Sequence, residues 1–228
     1  MIKDKRIALA FRAVALVLAT SGFLSMLGVF EGTVHLSILA YYTMLSNVLV
    51  IVLFCVLTVR TARDLRKGKS GNAGYYARFE MVCAVDILLT FVVYWVLLAP
   101  TFFAMDDSYE MWTFGNLAVH CFTPLLCILD YFLFTQARHL KYRDVYYSVI
   151  FPVIYLVATS AAGLLGYVYS ISQDDGKPVR FPYFFFDFDR LGIWSFVFIG
   201  AILIYILLNA HVFYLIDKKI RKNNKNRI

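Results

Sequence analysis

The sequence predicts an all-α polytopic membrane protein, a single domain built as a bundle of six transmembrane helices. Of its 228 residues, 61% are hydrophobic and only 16% are charged. In soluble domains about a quarter of the residues are charged, and a soluble domain of this length has too little interior for so many apolar side chains. The composition therefore excludes a soluble enzyme. The continuous apolar runs also differ from the alternating pattern of a membrane β-barrel.

A membrane-spanning helix needs about 20 predominantly apolar residues. Segments of that length and character occur at 8–30, 36–59, 79–103, 111–136, 146–170 and 193–216. The first run follows a short charged start, as in a signal peptide, but it has spanning length and no small-residue cleavage site closes it. We therefore expect it to be a retained first helix.

Basic residues alternate between the predicted connections. The N-terminus, the second and fourth connections and the C-terminal tail are rich in Lys and Arg, whereas the other connections are mainly acidic. The positive-inside rule then places both termini in the cytoplasm, which agrees with an even number of spans. The net charge of +7 is explained by this topology. Since there is also no phosphate-binding glycine motif, we expect the bilayer and no nucleic acid as a partner.

The long connection at 171–192 lies on the opposite, outer side. Pro178 and Pro182 prevent a continuous helix there. Its many aromatic residues suit the membrane interface. We expect this loop to cover part of the outer mouth of the bundle.

No cofactor is expected. The four cysteines lie inside apolar runs without metal-ligand spacing, at Cys55, Cys83, Cys121 and Cys127. Their position is typical of small buried apolar residues. No dinucleotide-binding fingerprint is present either.

Polar residues inside a predicted span are either contacts between helices or functional groups. In the second span, Thr43, Ser46 and Asn47 follow the i, i+3, i+4 spacing that places side chains on one helical face. In the fourth span, Asn116 and His120 share another face. A rise of about 1.5 Å per residue places Thr43 and His120 at about the same depth below the outer surface.

A hydroxyl and an imidazole at matched depth predict a nucleophile and its general base, if the two faces meet. Because no acid lies at this depth, a Tyr, a Ser or a backbone carbonyl would have to orient the imidazole. Pro124 removes the helical hydrogen bond to the carbonyl of His120 and predicts a kink. Two other interpretations remain open: Thr43 bonded to its own i−4 carbonyl, and His120 as a packing residue.

Two acids lie inside predicted spans. Asp86 is near the middle of the third span, and we expect it to be paired or protonated. Asp130 is near the cytoplasmic end of the fourth span, within reach of Arg138, and is expected to be structural.

Three segments resemble bacterial relatives of the androgen-induced / androgen-dependent TFPI-regulating protein family. The segment 41–47, Tyr-Tyr-Thr-Met-Leu-Ser-Asn, resembles that family's [YF]-[FY]-T-x-x-S-N segment in helix 2. The segment 120–124, followed by Asp130 and Tyr131, resembles its H-x-x-x-P … D-[WY] helix. The segment 181–187 with Gly192 resembles its Y-P-Y-x-F-x-D … G outer loop. The resemblance extends from residue 6 to about residue 216.

The resemblance implies a function. Animal members of the family are intramembrane threonine hydrolases that cleave fatty acid esters of hydroxy fatty acids with one Thr and one His, which match Thr43 and His120. We therefore expect an intramembrane lipid ester hydrolase of a bacterial plasma membrane, acting on a lipid-like ester. The candidates for substrate binding or for donating to the oxyanion are Ser46, Asn47, Asn116, Tyr183, Asp187 and Asp86.

Two alternatives remain open. In the first, the same polar faces line the cavity of a non-catalytic transporter or ligand-binding protein, with Asp86 and His120 as proton carriers. In the second, these residues only hold the helices of a structural bundle together. The sequence predicts no particular protein partner.

Overall fold

The computed structural model describes residues 2–105, 110–135, 140–172 and 176–225. Six helices in this part of the chain are long and apolar enough to cross a membrane. They confirm the predicted all-α six-helix fold of an integral membrane protein. The six spans are Lys5–Met26, Tyr42–Arg66, Ala77–Ala104, Phe114–Phe134, Tyr142–Leu164 and Ile193–Ile220.

Several spans are composed of more than one helical element. The α-helices are α1 (Lys5–Met26), α2 (Tyr42–Arg66), α3 (Ala77–Val93), α4 (Ala99–Met105), α5 (Phe114–Leu117), α6 (Thr123–Phe134), α7 (Ile150–Leu164), α8 (Phe188–Leu191) and α9 (Ile193–Lys225). Two π-helical segments, Tyr94–Leu98 and Ala118–Phe122, interrupt the third and fourth spans. Short 3₁₀ helices lie at Leu36–Ala40, Tyr142–Val149 and Phe184–Phe186. In the outer loop, β1 (Ser170–Ile171) pairs antiparallel with β2 (Pro178–Val179).

Local signals shift the ends of the spans from the predicted positions. The first span starts at Lys5, before the predicted residue 8, because the side chain of Asp4 caps its first turn. It ends before the predicted residue 30, because Gly28 has φ +77° and turns the chain. The second span starts late, at Tyr42, since a 3₁₀ turn and the extended Tyr41 precede it.

The first four spans pack closely. The helix α1 lies along α2, and α3 lies between α2 and α6. At Gly22, a Cβ atom would be 2.1 Å from the Cβ of Ala118, so this glycine allows the first and fourth spans to touch. The second span also meets the fourth, because Asn47 Nδ2 donates to the carbonyl of Val119 at 3.1 Å.

The helix α7 packs on α2 through aromatic side chains: the ring of Tyr42 lies 5.3 Å from that of Phe151 and 5.2 Å from that of Tyr155, between centroids. Its Tyr155 donates a hydrogen bond to the carbonyl of Ala40 at 2.9 Å. Near its outer end, Gly163 lies under the outer loop, where a Cβ atom would be 2.4 Å from the carbonyl oxygen of Arg180. The outer loop thus packs on the end of α7, and a space remains between α7 and α9.

The two ends of the bundle differ in chemistry. We call the end that contains the N-terminus and the start of α3 the basic end, and the end that contains the outer loop the aromatic end. At the basic end, Lys5 forms an ion pair with Asp64 at 2.6 Å, and Arg78 forms one with Asp144 at 2.9 Å. That the basic end faces the cytoplasm stays a prediction.

The first span also contains a fully buried arginine, Arg12, which we did not predict to have a structural role. Arg12 binds both carboxylate oxygens of Asp130, at 2.7 and 3.0 Å, in bidentate geometry. It also donates to Thr61 Oγ1 at 2.9 Å and to the carbonyl of Ala73 at 2.8 Å. Asp130 therefore has a structural partner in the first span. Its predicted neighbour, Arg138, lies outside the described residues.

Candidate functional site

An open cavity lies between the start of α2, the third span, α7, α9 and the outer loop. Two of its walls are aliphatic, formed by Leu156 of α7 and by Ile199 and Ile202 of α9. The outer loop contributes aromatic rings. The polar side chains of the lining are Tyr42, Thr43, Thr90, Tyr155 and Tyr183. A mostly apolar cavity with few polar groups suits the chain of a lipid and one polar group.

Thr43 is the second residue of α2 and is 8% exposed. Among the described residues, its Oγ1 donates no hydrogen bond to a carbonyl. By contrast, Thr61, Thr101 and Thr159 each donate to the carbonyl four residues before them. The back-bonded interpretation of Thr43 therefore does not describe this structure, and Thr43 lines the cavity.

The phenol of Tyr183 is the polar neighbour of Thr43. Its oxygen accepts from the backbone N–H of Thr43 at 3.5 Å, and its ring stacks on Phe185 at 5.1 Å between centroids. Burial raises the pKa of Tyr183 to about 12, against the opposing effect of hydrogen bonding with Thr43. The phenol therefore keeps its proton near neutral pH and can donate a hydrogen bond into the cavity.

Ser46 and Asn47 hold the start of α2 in place. The carbonyl of Thr43 accepts from Ser46 Oγ at 3.0 Å and from Asn47 Nδ2 at 2.8 Å. Ser46 Oγ also shares a hydrogen bond with Thr90 Oγ1 at 2.8 Å, and Asn47 Nδ2 donates to the carbonyl of Val119 at 3.1 Å. Both amide hydrogens of Asn47 are thus in use, so this side chain is committed to positioning α2.

The two π segments end in the same way. Thr123 and Ala99, which directly precede Pro124 and Pro100, each donate to the carbonyl five residues before them. A proline lacks the N–H that would continue the α-helical pattern, and a π turn is one way to accommodate that loss. The kink predicted at Pro124 therefore takes the form of a π segment. Pro100 carries the same signal in the third span, and we did not predict that segment.

His120 lies within the π segment of the fourth span. Its ring stacks on Tyr94 at 3.6 Å with an interplanar angle of 13°. Its Nδ1 is 3.1 Å from the carbonyl oxygen of Asn116. Because a carbonyl only accepts, Nδ1 carries the hydrogen in this contact and Nε2 keeps a lone pair. The backbone carbonyl of His120 accepts from Trp95 Nε1 at 3.1 Å.

The structure brings Thr43, Tyr183 and the cavity together, but His120 is not part of the cavity wall. Among the described residues, no hydrogen bond joins Thr43 and His120. The bond between Asn47 and Val119 aligns the second and fourth spans. Thr43 lies one turn before Asn47 in α2. In the fourth span, the ring of His120 extends toward the preceding turn, where Nδ1 contacts the carbonyl of Asn116. The hydroxyl and the imidazole are therefore at similar depth on adjacent spans.

The remaining candidates lie outside the cavity lining. Asp187 caps α8 by accepting from the backbone N–H groups of Asp189 and Arg190, both at 3.1 Å. Its carboxylate is also 3.3 Å from Arg190 Nε. Asn116 donates through Nδ2 to the carbonyl of Glu110 at 3.2 Å. The contacts of Asp187 organise the outer loop, and those of Asn116 hold the start of the fourth span.

Asp86 lies in the interior of α3 and is 1% exposed. Neither of its carboxyl oxygens has a hydrogen-bond partner among the described residues. The hydroxyl of Tyr42 faces it without reaching hydrogen-bond geometry. Tyr42 lines the cavity, so this side chain separates Asp86 from the cavity.

In the described part of the chain, no group of three or more His, Cys, Asp or Glu side chains could hold a metal ion. Comparison of the chain with protein-family models, with curated proteins and with solved structures gives no match. The family resemblance of the three sequence segments therefore stays a prediction.

Proposed function

We propose that the protein is an intramembrane lipid ester hydrolase in which Thr43 is the nucleophile and His120 is the general base. The observation that carries this proposal is the position of Thr43. Thr43, whose hydroxyl is free of the usual carbonyl partner, lines a cavity with largely apolar walls between α7 and α9. On α9, Phe196 and Val197 are exposed, as expected of a surface that faces hydrocarbon. An acyl chain that entered between the two helices would bring its ester group to Thr43.

The reaction has two steps. Thr43 Oγ1 attacks the ester carbonyl, and Nε2 of His120 takes the hydroxyl proton, directly or through one water molecule. The tetrahedral intermediate then expels the alcohol, which receives that proton from His120, and leaves an acyl group on Thr43. In the second step, water attacks the acyl-threonine, with His120 again as the base, and releases the fatty acid.

The groups around Thr43 and His120 have separate roles in this mechanism. The Nδ1 contact with the carbonyl of Asn116 and the stacking on Tyr94 keep Nε2 of His120 as the basic nitrogen. Tyr183 is the best placed of the candidate oxyanion donors, because it lines the cavity beside Thr43 and keeps its proton. One such donor typically contributes about 3–4 kcal/mol to transition-state stabilisation.

The family resemblance supports the finer assignment. We propose that the substrates are fatty acid esters of hydroxy fatty acids or chemically similar lipid esters. We also propose that the protein resides in a bacterial plasma membrane with its basic end in the cytoplasm. The cavity then opens in the outer half of the bilayer.

The proposal is tested by lipid ester hydrolysis with purified wild-type protein and matched variants. Thr43→Ala and His120→Ala should both abolish hydrolysis. Thr159→Ala and His211→Ala are the controls, because Thr159 bonds back to its own helix and His211 contacts Tyr142 at the basic end. All variants must elute as the same folded species. Equal activity in Thr43→Ala and Thr159→Ala would contradict the proposal.

A second candidate function is the binding or transport of a lipid without chemistry. It is favoured by the absence of His120 from the cavity wall and by the buried Asp86 that has no partner among the described residues. Native mass spectrometry distinguishes the two functions. A lipid ester that is bound and released intact by the folded wild-type protein supports the second candidate, whereas conversion to acid and alcohol supports the hydrolase.

A further inference from the structure

A second cleft lies at the basic end of the bundle, opposite the end that contains the outer loop. It is formed by the start of α1 and by the turn that follows α2. Its lining combines four basic side chains with a glycine-containing turn. The lining residues are Lys3, Asp4, Lys5, Arg6, Leu65, Gly68, Lys69, Ser70 and Gly71. None of them takes part in the proposed hydrolase mechanism.

The charge in this cleft is only partly compensated. Lys5 is paired with Asp64 at 2.6 Å, and Lys69 approaches the same carboxylate at 3.7 Å. Lys3 and Arg6 are exposed and have no ion-pair partner in the described structure. The carboxylate of Asp4 is used as the cap of α1, accepting from the backbone N–H of Arg6 at 2.7 Å. The cleft therefore has an excess of positive charge.

The turn adds neutral donors. Gly71 has φ +96°, a conformation that glycine adopts without strain. The backbone N–H groups of Ser70 and Gly71 donate no hydrogen bond within the described residues. Together with the hydroxyl of Ser70, they form a small set of donors beside the cationic side chains. Such a combination is suited to the oxygens of a phosphate group.

The cleft also continues into a lipid-facing surface. Ile7, Val14 and Val17 share one side of α1, and this side begins at Arg6 in the first turn of the helix. These three apolar side chains are 51%, 63% and 69% exposed. The cleft lies where two spanning helices end, which is the level of the lipid headgroups. A phosphate held by Arg6 would therefore place the acyl chains of its lipid along the exposed stripe of α1.

We infer that this cleft binds the phosphate of an anionic membrane lipid, with Lys3 and Arg6 as its principal charged contacts. The apolar stripe directly below the cleft favours a lipid over a soluble phosphate compound, since a soluble ligand would make no use of it. Basic pockets at the ends of membrane-spanning helices are a known setting for lipid headgroups. This inference is independent of the proposed hydrolase function.

The test counts lipids bound to the full-length protein by native mass spectrometry. Dioleoyl-phosphatidylglycerol is compared with dioleoyl-phosphatidylcholine, which has the same chains and no net charge. The double variant Lys3→Gln/Arg6→Gln should bind phosphatidylglycerol about thirtyfold more weakly than wild type. The charge-matched control Lys218→Gln/Lys219→Gln removes two exposed cations of α9 at the same end of the bundle and should leave binding unchanged.

The outcomes separate the possible sources of binding. Equal loss of phosphatidylglycerol binding in the two double variants would mean that binding depends only on the total charge of the protein, and the inference would be overturned. Equal binding of the two lipids to wild type would also overturn it. In a third arm, millimolar inorganic phosphate should not displace bound phosphatidylglycerol. Displacement would assign the cleft to a soluble phosphate compound and overturn the lipid assignment.

Discussion

Breaking the buried pair between Arg12 and Asp130 should strongly destabilise the bundle. Arg12 is 0% exposed, and two of its four hydrogen bonds end on Asp130. The variant Asp130→Asn removes the negative charge and leaves the guanidinium buried against Thr61 and the carbonyl of Ala73. An uncompensated buried charge costs about 3–5 kcal/mol. We expect a loss of that size in the free energy of unfolding.

The assay is equilibrium unfolding of the purified protein by titration with sodium dodecyl sulfate in mixed micelles, followed by circular dichroism. The double variant Arg12→Met/Asp130→Leu is the control. It removes both charges, and its stability should lie close to that of wild type, because apolar replacements of a buried pair are often neutral. If Asp130→Asn stays within about 1 kcal/mol of wild type, the pair does not act as a buried ion pair and this reasoning is refuted.

Three further predictions concern the site and its support. Tyr183→Phe removes the proposed oxyanion donor and should lower kcat for lipid ester hydrolysis by about 10²–10³-fold, with little change in KM; an unchanged kcat would exclude this role. Gly22→Val should destabilise the bundle in the same unfolding assay, because even a Cβ atom at residue 22 would overlap Ala118. Asn47→Leu removes two hydrogen bonds that hold α2 and should cost about 1–3 kcal/mol of unfolding free energy, whereas the control Asn209→Leu, on the half-buried surface of α9, should cost less.

The sequence predicted the fold class because a spanning helix must match the thickness of the bilayer. The length of an apolar segment therefore identifies a span directly. The ends of the spans were less accurate, since they depend on local caps and turns, such as Asp4 before α1 and the extended Tyr41 before α2. The partner of Asp130 was not found because helix packing alone brings Arg12 to it. A single arginine in an apolar run carries no signal of which helix it will meet.

The same distinction applies to the candidate site. The spacing of Thr43, Ser46 and Asn47 correctly predicted that they share a face of α2. In the structure, Thr43 lines the cavity, Ser46 contacts the third span and Asn47 contacts the fourth span. Tyr94 was not predicted, because its stacking on His120 requires the third and fourth spans to meet at their π segments. Periodicity indicates which residues share a face, but it does not indicate which faces meet.

The assignment of Thr43 as the nucleophile is tested most directly by identifying the residue that reacts with an acyl-reactive fluorophosphonate probe. Folded wild-type protein would be treated with the probe, digested and mapped by mass spectrometry, in parallel with His120→Ala and His211→Ala. We expect a covalent adduct on Thr43 in wild type and in His211→Ala, and none in folded His120→Ala. An adduct on another residue, or one on Thr43 that forms equally well without His120, would contradict the assignment of the nucleophile and its base.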